Sequence, residues 1–112
     1  MRAATFEETD WMLIAELYEI LALMKPGPIV SLNLAIAIGY SQSPTAGLAA
    51  LRAIDGLQEH YLYHAAMGDF HARNGDDTEA QHCYDEAARL TASNVEKNLL
   101  ALKQSGLLLQ PR

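Results

Sequence analysis

The stretch HAAMGDFHARNGDDTEAQHCYDEA, residues His64–Ala87, decides the fold. Asn74-Gly75 reads as a turn, because glycine enters the left-handed conformation that ends a helix at little cost. Asp76 then caps a second helix, with Glu79 three residues on at capping-box spacing. Asp76, Asp77 and Glu79 also suit the positive end of that helix's dipole. Gly68 and Ala80 stand where the two antiparallel helices cross closely, so neither can be large. The product is a helix hairpin, a surface for contacts rather than a reaction centre.

The same residues resemble a tetratricopeptide (TPR) repeat. His64, Met67, Gly68 and His71 occupy the places of its W-x2-L-G-x2-Y half, and Gly75, Ala80 and Tyr84 those of its turn glycine and A-x3-F half. Moving the pattern back by about 33 residues places Leu34, Ala35 and Ile38 in a first half, and Gly47, Leu51 and Ile54 in a second. Small residues return at the close-contact points while the aromatic places become aliphatic. A clear repeat beside a blurred one fits a short stack with modified end units.

Outward from this centre the chain reads as helices throughout. The first runs from Trp11 to Lys25, capped by Asp10 and stopped by Pro26-Gly27-Pro28. Trp11, Ile14, Tyr18, Leu21 and Met24 recur on one broad apolar face, and only Glu16 and Glu19 interrupt the rest, which predicts cover on more than one side. A second helix begins at Pro28 and runs to about Tyr40. Ser43-Pro44 opens a third, to Ile54, before Asp55-Gly56 breaks it. The fourth spans about Glu59 to Asn74 and the fifth ends near Leu90. A sixth starts at Ser93 or Asn94, carries Val95, Leu99 and Leu102 as an apolar stripe, and stops at Gly106. The tail 107–112 is expected to be mobile. No segment sustains the period-two alternation of a strand. The expected fold is all-α, six helices stacked as three antiparallel hairpins in one domain over 1–112.

Composition narrows the function classes. The chain has 112 residues, half of them apolar and a fifth charged, with net charge −6. That is one folded core, not two. Lysine and arginine gather nowhere into the stripe that phosphate binding needs, so this chain is not expected to bind nucleic acid directly. Its acidity disfavours an anionic membrane surface, and charges interrupt every apolar run that could cross a bilayer. The single Cys83 and the absence of a basic-then-apolar leader point to the cytoplasm.

Few residues invite chemistry. His60, His64 and His71 fall within about 40° of one another on a helical wheel, and His82 and Cys83 follow on the next helix. A zinc site could be drawn from them, but His64 and His71 coincide with packing places of the repeat, so no metal is expected. Glu59 also precedes His60 and His64 instead of standing between them, unlike the zinc-protease helix. His82 and Cys83 point about 100° apart and cannot pair as base and nucleophile. Asp69 and Arg73 are spaced for an i,i+4 ion pair. Phosphate-binding glycine loops and the serine-elbow motif are absent. The expectation is a non-catalytic chain without cofactor. Its helix-packing residues are Trp11, Tyr18, Ala35, Gly47, His64, Gly68, Ala80 and Tyr84.

A more specific resemblance runs along almost the whole chain. Its residues are Thr9-Asp10-Trp11, Ile14, Leu17-Tyr18, Pro26-x-Pro28, Val30 and Leu32-Asn33. Ala35, Ala37, Gly47-Leu48, Asp55-Gly56-Leu57, Tyr61 and His64-Ala65-Ala66 continue it, and Asp69, Gly75, Glu79-Ala80, Tyr84 and Ala87 complete it. In this order they resemble the C-terminal TPR-like extension of a group of bacterial extracytoplasmic-function (ECF) RNA polymerase sigma factors. Leu34 departs from the family pattern, which carries arginine there. The resemblance implies a C-terminal fragment whose promoter-binding sigma domains lie before residue 1. It also implies a role in regulating transcription initiation through contact with those domains or with RNA polymerase.

In such stacks the first helix of each hairpin lines a concave face, here Leu32, Ile36, Tyr40, Leu62, Ala65, Asp69 and Arg73. That groove is mostly apolar and suits an amphipathic helix or the chain's own neighbouring helices. A stand-alone adaptor for a peptide of another protein would use the same groove. A homodimer is compatible with the apolar end that a short stack exposes.

Overall fold

The computed structural model describes residues 10–109, and they form six helices without a strand. These are α1 (Trp11–Met24), α2 (Pro28–Ser41), α3 (Pro44–Arg52), α4 (Tyr61–Arg73), α5 (Asp77–Leu90) and α6 (Asn94–Leu109). Each packs on its successor, most extensively α4 on α5, α1 on α2 and α2 on α3. The fold is all-α, two repeat hairpins (α2–α3 and α4–α5) flanked by one further helix at each end. Its thinnest dimension is 25 Å, the depth of two helices at about 10–12 Å each.

Local chemistry sets the helix ends. Asp10 accepts from the Leu13 amide at 3.0 Å, and Ser43 from Ala46 at 3.0 Å with Pro44 following. Asp76 accepts from the Glu79 amide at 3.4 Å and begins α5. The α4–α5 turn is a Schellman closure. The Gly75 amide donates to the Ala72 carbonyl at 3.0 Å and the Asp76 amide to His71 at 2.9 Å, with Gly75 at φ +79°. Gly56, in the segment after α3, also takes a positive φ, +89°.

Three boundaries differ from the sequence reading by two residues or more. α3 stops at Arg52, two residues before the expected Ile54, where the chain turns toward Gly56. α4 begins at Tyr61 because the His60 ring takes the cap, its Nδ1 accepting from the Leu62 amide at 3.3 Å. α6 passes through Gly106 to Leu109. A lone glycine costs a helix about 1 kcal/mol and need not end it. The expected mobile tail is therefore helical over 107–109, while 110–112, like Thr9, lie outside the described residues.

Where the length suggested a single core, two apolar clusters hold the stack, joined by α4, which belongs to both. Leu32, Ala35, Leu48, Leu51, Leu57, Ala66 and Phe70 form the first; Ala65, Ala80, Tyr84, Ala87 and Leu100 form the second. Neighbouring residues Ala65 and Ala66 face opposite clusters, so α4 is covered on two sides. That is why its interior is built from Ala65, Ala66, Gly68 and Ala72.

The close approaches are made by glycine against rings. A methyl group at Gly68 would stand 2.7 Å from the Tyr84 ring. At Gly47 it would meet the Gly39 backbone at 2.6 Å and Phe70 at 2.8 Å, and at Gly39 it would overlap the Phe70 ring itself. Phe70 and Tyr84 thus occupy, one in each cluster, the hollows that the glycines leave.

Candidate functional site

The predicted groove is largely occupied by the chain itself. Leu32 and Ala65 are buried, and Ile36, Tyr40 and Leu62 pack against the first cluster. The Tyr40 ring lies between two others, 4.8 Å from Trp11 of α1 and 5.1 Å from Phe70 of α4. Arg73 places its guanidinium 4.7 Å from the Tyr40 centroid, a cation–π arrangement. Burial, with Asp69 nearby, raises the Tyr40 phenol above its ordinary range. The aromatic stack pins α1 to the rest of the fold.

Asp69, the other polar groove residue, looks across the second cluster. Tyr84 donates to its Oδ1 at 2.5 Å, and Lys103 of α6 reaches both carboxylate oxygens at 3.1 Å. The Lys103 ammonium also lies 5.8 Å from the Tyr84 ring centroid. Burial and the hydrogen bond to Asp69 raise the Tyr84 phenol far above its ordinary range. This constellation ties α4, α5 and α6 together; it holds the proton on Tyr84 instead of releasing it, the opposite of what a general base needs.

Near by, the Thr91 hydroxyl donates to the Glu96 carboxylate and accepts from the Ser93 amide at 3.2 Å. Hydrogen bonds from Thr91 and then Tyr61 hold the Glu96 carboxyl below its usual range. The α5–α6 turn is thereby bound to the start of α4.

The remaining reactive residues are dispersed. His60 caps α4. His64 is half-buried, with Nε2 2.8 Å from the Gln58 carbonyl, so it folds back on its own loop. His71 is buried with Nδ1 3.8 Å from an Asp76 carboxylate oxygen. The wheel of three histidines does not form, since His60 precedes the helix. No cluster of three His, Cys, Asp or Glu side chains suited to a metal occurs among the described residues. Burial chiefly, helped by Glu79, pushes the Cys83 thiol up to about 11. Among the expected packing residues Ala35, Gly47, Gly68, Ala80 and Tyr84 are buried, while Trp11 and Tyr18 are half-buried.

The uncovered apolar surface lies at the two ends of the stack. α1 turns Trp11, Ala15, Tyr18 and Ala22 inward and leaves Leu13, Leu17, Ile20, Leu21, Leu23 and Met24 exposed. Leu21 and Met24, read as part of one broad apolar face, are thus on the outside, and the cover expected on more than one side of α1 is not found among the described residues: the buried arc is narrower and shifted toward the alanines. Ile14, Leu17, Tyr18 and Leu21 line a shallow hollow of about 410 Å³ on this helix. The α6 stripe inverts similarly, with Leu100 buried and Val95, Leu99 and Leu102 exposed. A second hollow of about 460 Å³ opens between α2 and α3 beside Leu34, Ile38 and Ile54. No helix among the described residues is long and apolar enough to cross a membrane.

Comparison with known proteins adds one relative. The chain is similar to an uncharacterized protein of Rhizobium meliloti, 31% identical over 111 residues. The match takes in 98% of this chain and 26% of that protein. The chain thus spans about a quarter of the relative's length. No family pattern matches it, and no solved structure does.

Proposed function

We propose that this chain is a non-catalytic interaction domain of an ECF sigma factor, modulating promoter-dependent transcription initiation through protein contact. The observation that carries the reading is the division of the surface: the inner groove is filled by Trp11, Tyr40 and Phe70, while the outer faces of α1 and α6 stay apolar and uncovered. Large apolar residues left in water on a folded domain mark contact surfaces. The residue pattern along the chain supports the sigma-factor assignment. The similarity of nearly the whole chain to a quarter of a longer protein supports its role as one domain of a larger architecture. Its net charge of −6 fits a partner made of protein, in the cytoplasm, better than nucleic acid.

The partners on this reading are the sigma domains preceding the chain, or RNA polymerase. Deleting residues 10–109 from the longer protein should change transcription of a reporter driven by the target promoter. Unchanged output rejects the regulatory role. Output that changes equally with a scrambled linker of the same length would assign the effect to spacing and also reject it.

A further inference from the structure

Polar groups fasten α6 to the stack at both ends of its described side chains, 94–104. Within that stretch only Leu100 is buried, while Val95, Leu99 and Leu102 face water. At its start the Glu96 carboxylate takes hydrogen bonds from Thr91 and from Tyr61 of α4. About two turns on, Lys103 reaches both oxygens of Asp69 at 3.1 Å and Gln104 donates to Asp85 at 2.7 Å. The hairpin beneath does not need these contacts to hold together. Ala65 of α4 and Ala80, Tyr84 and Ala87 of α5 supply the rest of the second cluster, to which α6 adds Leu100. Tyr84 keeps its own bond to Asp69, at 2.5 Å, whether or not Lys103 is present.

We propose that α6 is a hinged cover, opening on residues 91–93 while α1–α5 stay folded, with the Lys103–Asp69 ion pair as its latch. Thr91 leaves α5 in an extended conformation, φ −92° and ψ 142°, so α6 swings on this connection without unwinding its predecessor. The side chains of Lys103 and Asp69 are 31% and 26% exposed, and dissolved ions therefore reach the pair and weaken it. Opening uncovers the face of α4 and α5 that carries Tyr84 and Asp69. A partner helix gains that face only by displacing α6, which makes α6 an internal competitor. The inference rests on these contacts and not on the sigma-factor reading.

Amide hydrogen exchange of the full chain, read helix by helix, tests the proposal. A detached helix of 16 residues is marginal in water, so its amides exchange whenever the cover opens. Amides 98–103 should exchange together, at least about tenfold faster than the slowest of α4 and α5. K103M, which removes the charge and keeps most of the stem, should speed α6 alone by about three- to tenfold. D69N, which keeps an acceptor for Tyr84, should do the same and serves if K103M unfolds. The double variant should add nothing to either. High salt, about 1 M sodium chloride, should speed α6 in the unaltered chain and have little effect in K103M, where the pair it screens is gone. Exchange of α6 in step with α4 and α5 overturns the proposal, because the helices then open only together. Variants that leave α6 unchanged or speed every helix alike, additive effects of the two, or a full salt response in K103M each remove the latch and overturn it as well.

Discussion

Single residues in this protein matter most where a missing Cβ makes room for a ring. Gly39, Gly47 and Phe70 form one such set, and Gly68 with Tyr84 the other. Gly39→Ala should lower stability by about 1–3 kcal/mol, the usual range for overpacking, despite alanine's better helix propensity. Urea denaturation would measure it. Combined with Phe70→Leu, the cost should be less than the sum of the two, since the smaller side chain clears the methyl group. A strictly additive pair would show that the overlap is relieved elsewhere. Tyr84→Phe removes a donor to a carboxylate in a half-buried site and should cost about 1.5–3 kcal/mol by the same assay.

Titration at the residue scale follows from the same burial. Cys83 is raised from 9.0 to about 11 and Tyr84 lies far above its ordinary 10.0, both mainly through desolvation. Each charged form is disfavoured in the folded state, so each contributes stability that is complete below its unfolded pKa. Stability should therefore fall as pH rises from about 9, through Cys83 first and Tyr84 above 10. Urea midpoints measured from pH 8 to 11 would check this, and Cys83→Ala should flatten the lower part of the decline. Alkylation of Cys83 at pH 8 should also be slower in the folded chain than in urea, because the thiolate is the reacting form.

Among the elements, α3 depends most on its cap. It has nine residues, too few to persist without tertiary support, and Ser43 satisfies one of its open amides. Ser43→Ala should cost about 0.5–2 kcal/mol, whereas Ser43→Asp, which caps equally well, should restore stability. α6 stands at the other extreme of attachment. Leu100 is its one buried side chain in the described part, and polar contacts of Glu96 with Thr91, of Lys103 with Asp69 and of Gln104 with Asp85 at 2.7 Å add to its attachment. Its amides should exchange with solvent sooner than those of α4, and Leu100→Ala should widen that gap. Equal protection in α4 and α6 would contradict this order.

In the molecule as a whole, α4 couples the two apolar clusters, and the outer faces of α1 and α6 stay exposed among the described residues. The helices were legible in the sequence because their signals are local. Asp10, Ser43 and Asp76 reach amides three residues away, Gly75 takes its positive φ within its own turn, and Pro26, Pro28 and Pro44 punctuate α1, α2 and α3. The close contacts at Gly68 and Gly47 were also legible, through the spacing of small and large residues. Gly39 was not, because only Phe70, thirty-one positions on, shows why a side chain is forbidden there.

The inner groove illustrates the same division. Its residues lie on α2 and α4, but α4 turns Leu62 to the first cluster and Ala65 to the second, and the sequence could not say that Trp11 would lie against Tyr40 or that Lys103 would reach Asp69. Periodicity identifies an apolar arc on a helix with apolar residues nearly all round, as in α1, but not which part of the arc a neighbour covers. By itself, then, the sequence determined six helices, their caps and turns and an all-α stack, since these depend on interactions between residues within a turn of one another. Tertiary structure alone decided which faces were buried and which left bare, because that depends on where helices distant in the chain come to rest.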